Sequence, residues 1–573
     1  MKTIEYRDAW GWLDEYRGKE FVGRWPNLRE FFHINRLRYP GNKAFRAFSP
    51  VEETFTYAEA ETKILQVAAY LVKNGAKPGD KIAVSGKNSP EWAIAYFAIA
   101  YAGAIVVPLD YALHDAEMEK LLEFGDVSRL FIDKERINNI DKDGKLGLVK
   151  YSLEKTGDYP FVLDMDGPDF AYERAKGDDI AAILYTSGTT GTPKGVMLTN
   201  DNLISDCYLA QSNMLLFPTD VFYAILPIHH AYTMLAVMFE SISVGCCTVF
   251  GKKLVVSQML KELKQGEVTM FLGVPMLFNK LIAGLMGGVR KKGIVVYGLI
   301  RGLMRVSGFL KKAFGLNVGK KWFSFLLKNI SLDKVRICIC GGGPLPESTF
   351  KRFNELGINF VQGYGLTETS PITHLNPIEA YREASVGRNN KEVEVRIEDP
   401  DSDANGVIFI KGPMVMKGYY KNPEATEEVL SEDGWLNTGD VGHVDEDGYL
   451  YLTGRAKSVI VTEGGKNVFP EEIEDKFQLY DDIAQICIIG YMIDETAKSE
   501  GIRAIVRPSA ALCKESDGKG IERRINEIIE EVNKDLQSYK KITRVTIVQE
   551  PLPLTSTSKI KRFEVVEKYK DER

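Results

Sequence analysis

The chain has 573 residues, is 45% hydrophobic and 27% charged, and carries a formal net charge of −6. At about 150 residues per domain this length gives several folding units around a large core, and the mildly acidic balance argues against a nucleic-acid partner. Seven cysteines, none spaced Cys-x-x-Cys, exclude a disulfide framework and a zinc ribbon, and fit a reducing, cytoplasmic compartment with Cys338 and Cys340 as core residues of a strand.

Met1 to Asp8 lacks the apolar run of a signal peptide. A helix is predicted over 58–73 and a strand over 81–85. Residues 92–109 carry no charge and have nearly the length of a membrane span, but local signals divide them. Asn88-Ser-Pro-Glu91 starts a helix, Gly103 stops it, and Ile105-Val-Val107 before Pro108 reads as a buried strand. Another strand is predicted over 180–184. Such alternation over the first 400 or so residues predicts α/β layers with parallel strands. Beyond residue 457 the texture changes to a short helix (471–477), strands (483–489, 502–506, 545–548) and a charged helix (521–536). The expected architecture is therefore α/β: a large N-terminal domain of layered α/β subdomains, residues 1–456, and a small α+β domain, residues 457–573, joined at a hinge near Lys457.

Directly after the 180–184 strand comes Tyr185-Thr-Ser-Gly-Thr-Thr-Gly-Thr-Pro-Lys-Gly195. Glycines let backbone N–H groups approach an anion, hydroxyls add donors and a lysine adds charge, which together make a phosphate cradle. The plain alternative is a flexible Ser/Thr/Gly surface loop. A P-loop is excluded, because counting from Gly188 Pro193 occupies the second glycine position and Gly195 follows Lys194. Four further segments suit one nucleotide. Gly341-Gly-Gly-Pro344 follows a strand and admits a flat base or ribose, while Gln362-Gly-Tyr-Gly-Leu-Thr-Glu-Thr369 offers a ring, a hydroxyl and a carboxylate suited to Mg²⁺. Asp440, in Trp435-Leu-Asn-Thr-Gly-Asp440, can accept two ribose hydroxyls, and Arg455 and Lys559 supply positive charge. Taken singly, glycine-rich turns simply turn and an Asp after Gly caps a helix.

In this order the segments resemble the adenylate-forming (AMP-binding) superfamily, and within it the bacterial long-chain fatty acyl-CoA synthetases, from about Phe55 to Lys559. The resemblance implies a use for ATP, Mg²⁺ and CoA. Thr186, Ser187, Gly188, Thr189, Thr190, Gly191 and Lys194 would hold the β- and γ-phosphates. Gly341, Gly342, Gly343 and Pro344, with Gly363, Tyr364 and Gly365, would wall the adenine and acyl pockets. Thr367 and Glu368 match the α-phosphate and Mg²⁺ positions, Asp440 the ribose-binding acid, Arg455 a nucleotide contact, Lys457 the hinge and Lys559 the catalytic lysine. His230 matches a position beside the acyl carboxylate, with a satisfied core histidine as its plain reading, and His229 reads as packing. Gly464, Gly465 and Lys466 would move to the pantetheine channel when the small domain swings. Two departures from the family pattern are Ser558, where glycine usually precedes the lysine, and Ser458, where an acid is usual.

The implied activity is a medium- to long-chain fatty acid:CoA ligase. The alternatives are delivery to a carrier-protein phosphopantetheine, an aromatic acid:CoA ligase, or a non-catalytic nucleotide sensor. Between Arg290 and Lys334 eleven Lys or Arg stand against the single acid Asp333, a net of +10, interleaved with apolar residues. Arg301, Arg305 and Lys312 are predicted on one helical face, the pattern of peripheral contact with an anionic membrane at the inner face of the cell. The other reading is a surface hairpin with a solvated basic face. A monomer or homodimer is expected.

Overall fold

The computed structural model describes residues 6–171, 174–186, 194–253, 255–402, 404–462, 466–494, 499–555 and 559–569. Two large sheets and a small α+β unit organise them. In the seven-stranded sheet, Lys81–Ser85, Ile105–Pro108, Val127–Ile132, Val149–Ser152 and Ile180–Thr186 run parallel, and Lys194–Thr199 folds back antiparallel on Ile180–Thr186. The central strands Ile105–Pro108 and Ile180–Thr186 read as nearly continuous apolar runs, as strands of a parallel sheet covered on both faces do. The thirteen-stranded sheet has a parallel centre of Lys43–Ala47, Cys247–Phe250, Val221–Ala224, Met270–Gly273, Ile337–Cys340 and Asn359–Tyr364. Beyond Tyr364 it continues antiparallel through His374–Leu375, Gly387–Asn389, Tyr449–Arg455, Leu436–Val444, Gly406–Lys411 and Glu394–Glu398.

The uncharged stretch 92–109 divides as expected. Ser89 caps the helix Pro90–Tyr101 by accepting from the Trp92 N–H, Pro90 occupies the first turn, and Ile105–Pro108 follows a turn at Gly103 with φ +78°. This helix is apolar all round because it lies between the sheets, touching strands of both. Among the described residues no helix is long and apolar enough to cross a membrane. Cys338 and Cys340 are fully buried.

The small unit has a core of its own. Its sheet consists of Ile483–Asp494, Ser499–Pro508 and Arg544–Ile547. The first two strands outrun their predicted ends because they form one long antiparallel hairpin, paired from Ile483 with Pro508 out to Asp494 with Ser499. The helix Gly518–Lys534 covers the sheet with Ile521, Ile525, Ile528, Ile529 and Val532, the spacing of a single buried stripe, and Asp517 caps its start.

The basic segment forms the helix Ile294–Phe314, which leans on Pro275–Arg290 and Glu347–Glu355. The basic face expected to look outward turns partly inward. Arg301 donates to Glu355 at 2.9 Å, Lys312 to Glu383 at 2.8 Å, and Lys311 to Asn354 Oδ1 at 2.8 Å and the Ile358 carbonyl at 3.0 Å. Burial pulls the Lys311 ammonium down to about 7. The reason is the acidic and carbonyl-rich edge of helix Glu347–Glu355, which captures cations on the helix side that faces it.

Candidate active site

In a parallel sheet the loops after the strands open together at the carboxyl edge, and ligands bind there. The predicted residues gather in that way. Gly341 to Pro344 follow Ile337–Cys340, Gly363 and Tyr364 end Asn359–Tyr364, and His229 and His230 lie in the loop after Val221–Ala224. Asp110 follows Ile105–Pro108, and Thr186 ends Ile180–Thr186.

The phosphate-loop expectation rests on a hairpin whose two ends are described. Thr186 and Lys194 are cross-strand partners at its tip, while residues 187–193, including Ser187, Gly188, Thr189, Thr190 and Gly191, lie outside the described residues. The Lys194 ammonium sits 4.7 Å from the centre of the Tyr419 ring. The Tyr419 hydroxyl donates in turn to Glu368 Oε1 at 2.9 Å, and burial together with the Glu368 charge raises the phenol's pKa. Glu368 Oε2 has no hydrogen-bond partner among the described residues. Thr367 and Glu368 are consecutive residues of a single 3₁₀ turn, Thr367–Thr369, which supplies a hydroxyl and a carboxylate from one short element. That donor set is all oxygen, which suits a hard divalent cation such as Mg²⁺.

Asp440 is 7% exposed and pairs with Arg455 in adjacent antiparallel strands. Arg455 Nε lies 3.0 Å from Asp440 Oδ1, and the Tyr364 hydroxyl donates to Oδ2 at 2.7 Å. The Asp440 charge raises the pKa of Arg455; burial raises that of Tyr364, and Asp440 adds to it. A carboxylate has about four acceptor positions, so two protein bonds leave room for two more donors such as a vicinal diol. Tyr364, expected as a stacking ring, thus also anchors Asp440 through its hydroxyl.

The glycines divide by what surrounds them. A side chain on Gly341 would meet the Tyr232 ring at 3.1 Å, and one on Gly365 would overlap the Pro371 carbonyl. Gly363 faces the His374 carbonyl at 3.1 Å. These three are needed for close packing, with Tyr232 filling the Gly341 side and donating to the Gly273 and Ile339 carbonyls. Gly342 has φ +81°, and both Gly342 and Gly343 have no neighbour nearer than 3.7 Å, so the open part of the turn is there. The Pro344 carbonyl accepts from Gln478 of the small unit at 3.3 Å.

The His229 and His230 rings touch with centres 4.1 Å apart and planes tilted by 41°, and His229 Nε2 lies 3.6 Å from Asp110 Oδ2. Burial lowers His229 to about 3, so its imidazole is neutral. Burial likewise lowers His230, with His229 adding to the effect and Asp110 opposing it. Asp110, His229 and His230 bring donor atoms within 4.8 Å of one another, a two-imidazole, one-carboxylate set with the composition of a transition-metal site. His229, read as packing, therefore belongs to the wall of the cleft.

Lys559 reaches this cleft from the small unit. The residue as a whole is exposed, yet its ammonium end is close enough to Arg455 and Asp440 to feel their charges and close enough to His230 to lower that imidazole further. Loss of hydration lowers it to about 8, Arg455 adds to the lowering, and Asp440 opposes it. Lys457 is exposed in the 3₁₀ turn Ala456–Ser458 between the large and small units. Lys466 lies at the base of the small hairpin formed by Ile460–Val461 and Asn467–Val468, while Gly464, Gly465 and Ser558 are outside the described residues. Sequence reasoning missed Asp110, Tyr419 and Gln478. Asp110 stood two residues past Pro108 at a strand end, a signal that could have been used; Tyr419 and Gln478 enter through long-range contacts alone.

A family model described as AMP-binding enzyme matches residues 32–420, and one described as AMP-binding enzyme C-terminal domain matches residues 457–572. The chain is 28% identical to a feruloyl-CoA synthase of Amycolatopsis sp, over 95% of this chain and 98% of that one. It is 27% identical to a long-chain-fatty-acid–CoA ligase of Bacillus subtilis (strain 168), over 94% of each. Among solved structures, ATP-bound MatB from Rhodopseudomonas palustris superposes with a TM-score of 0.75 at 25% identity, covering 95% of this chain and 99% of the other. The o-succinylbenzoate CoA synthetase of Bacillus subtilis with its acyl-adenylate intermediate shares the fold, with a TM-score of 0.75 at 23% identity over 96% of this chain and 99% of that one.

Proposed function

The chain belongs to the AMP-binding enzyme family, and on that premise we propose that it is an AMP-forming ligase joining a medium- to long-chain fatty acid to CoA. The AMP-forming acid–CoA ligase class, with ATP, Mg²⁺ and CoA, follows from the family and its relatives, and the fatty acid is proposed. One observation carries the chemistry: the Lys559 ammonium enters the same cleft as Arg455, Asp440 and His230, from a separate unit.

A carboxylate is a poor acyl donor because its leaving group would be oxide. In the proposed first step a carboxylate oxygen attacks the α-phosphorus of ATP, forming a C–O–P link while the bond to pyrophosphate breaks. Asp440 holds the ribose hydroxyls, Lys194 and its loop hold the departing phosphates, and Lys559 and Thr367 donate to oxygens on which charge develops. Glu368 and Thr367 would hold Mg²⁺, which when bound supplies neutralisation of phosphate charge. His230, neutral in this setting, orients the acyl carboxylate without fixing it as an ion pair. In the second step the CoA thiolate attacks the acyl carbonyl, the C–S bond forms and AMP leaves. For that step the small domain, residues 457–573, turns about Lys457 and withdraws Lys559 while bringing Lys466 and its hairpin in.

The fatty-acid reading is supported by near full-length similarity to the Bacillus long-chain ligase. Similarity to the feruloyl-CoA synthase and to a 4-coumarate–CoA ligase of Solanum tuberosum supports an aromatic acid as the second reading. Pyrophosphate release across acetate, octanoate, palmitate and ferulate, with and without CoA, decides between them. A maximum at octanoate or palmitate with thioester formed on CoA is expected. A maximum at ferulate selects the aromatic reading, and pyrophosphate release without any CoA thioester points to a carrier-protein acceptor.

A further inference from the structure

A surface helix normally turns polar residues to water, but Ile294–Phe314 does the reverse. At 100° per residue Val295, Leu299, Val306, Phe309 and Ala313 lie along one line, and the flanking positions 298, 302, 303 and 310 are glycine or leucine. That line faces away from the protein: Val295 is 81%, Leu299 64%, Val306 49% and Phe309 64% exposed, while Met304 and Ser307 on the other side are buried. Beyond the helix, Trp322 and Phe325 extend the exposed apolar surface. An apolar surface of this continuity marks an interaction site.

Charge identifies the occupant. Lys291 and Lys292 at the start of the helix, Arg305 along its edge and Lys321 after it are exposed, and none makes an ion pair with another described residue. We propose that this face docks on an anionic lipid bilayer, with the apolar line entering at headgroup depth and the four cations meeting lipid phosphates. A two-fold contact with a second copy would set these four cations against four of the same sign, so self-association is disfavoured where an anionic surface is favoured. The same helix rests on Glu347–Glu355, which follows the Gly341 to Pro344 turn, so the docked face and the cleft share a supporting helix. Bilayer docking needs neither ATP nor an acid, and its failure would leave the ligase reading intact.

The test is sedimentation of the full chain with phosphatidylglycerol-containing vesicles and with pure phosphatidylcholine vesicles, without nucleotide. Binding to the anionic vesicles is expected, falling about tenfold or more in Leu299→Glu/Phe309→Glu. A fall of about tenfold is expected in Lys291→Glu/Lys292→Glu and at high salt. An unchanged melting temperature in both variants keeps loss of binding separate from unfolding. The proposal is overturned if the wild type stays in the supernatant, or if the Leu299/Phe309 variant binds as well as the wild type. It is equally overturned if ultracentrifugation shows a dimer that this variant splits and the vesicles do not bind, which assigns the face to a second copy.

Discussion

Tyr364 and Asp440 are 76 residues apart in sequence and are joined by a 2.7 Å hydrogen bond from the phenol to the carboxylate. Arg455 holds the other oxygen, so Asp440 is fixed from two sides before any ligand arrives. Asp440→Asn is expected to raise the KM for ATP about 10- to 100-fold, from loss of charged hydrogen bonds worth about 1.5–3 kcal/mol. Tyr364→Phe, which removes one anchoring bond worth about 1 kcal/mol, should raise it about fivefold. ATP-dependent pyrophosphate release measures both. An unaltered KM in Asp440→Asn would remove Asp440 from the nucleotide site.

Lys559→Ala should lower acyl-adenylate formation by roughly 10²–10³, the cost of a lost charge-stabilising donor. The variant should still convert supplied acyl-adenylate and CoA to thioester. Equal loss in both half-reactions contradicts the two-position reading of the small domain.

Adenylation should also carry the titration of Lys559. The reaction needs the ammonium, whose pKa is pushed down to about 8, so the rate holds below that pH and falls as pH rises through it. Arg455 lowers this pKa and Asp440 raises it. Arg455→Met should therefore move the alkaline limb up in pH, and Asp440→Asn should move it down. Half-reaction pH profiles read the shifts, and limbs that stay in place assign the titration to another group.

Chelation of divalent cations should stop adenylation and spare thioester formation from supplied acyl-adenylate. Glu368→Gln should raise the Mg²⁺ needed for half-maximal adenylation. Tyr419→Phe, acting only through its bond to Glu368, should raise it about tenfold, within the range for a residue that supports a metal ligand. A normal Mg²⁺ requirement in both variants would place the cation elsewhere.

His229 and His374 are buried, and burial lowers both to about 3. Each is neutral when folded but charges near pH 6.5 when unfolded, so the unfolded chain binds more protons between pH 6.5 and 3. Stability is then lost as pH falls through that window, by about 1.4 kcal/mol per pH unit for each histidine. Asp206 and Glu240, raised by burial, act in the opposite sense, so the informative quantity is the difference between variant and wild type. His374→Gln should flatten the fall in urea midpoint between pH 7 and 5. An identical slope in the variant would rule the histidine out.

The parallel-sheet scaffold was legible because a strand buried on both faces must be apolar throughout, as in 82–84, 105–107 and 180–184, and because Gly103 and Pro90 punctuate locally. The loops after these strands were legible as candidate ligand contacts for the same reason, since chemistry-bearing residues cluster where buried strands end. Contacts set by register across the antiparallel extension were not. Nothing near Asp440 announces Tyr364, and nothing near Glu368 announces Tyr419, because each pairing depends on how distant strands align. The direction of the 294–314 helix was half legible. Its composition was plain, but which side Arg301 and Lys312 face was decided by Glu355 and Glu383, acids of another segment.

Gln478 makes both of the hydrogen bonds that cross between the large and small units among the described residues, accepting from Asn279 at 2.9 Å and donating to Pro344 at 3.3 Å. Packing of Pro470–Glu474 on Tyr449–Arg455 and the approach of Lys559 to Asp440 also join the two units, so Gln478 is one of several contacts given up if the small unit turns as proposed. Both of its bonds join neutral groups, so giving them up strands no charge. Gln478→Leu should therefore raise the rate of the thioester half-reaction relative to adenylation, and an unchanged ratio of half-reaction rates would show that these bonds do not hold the small unit in place.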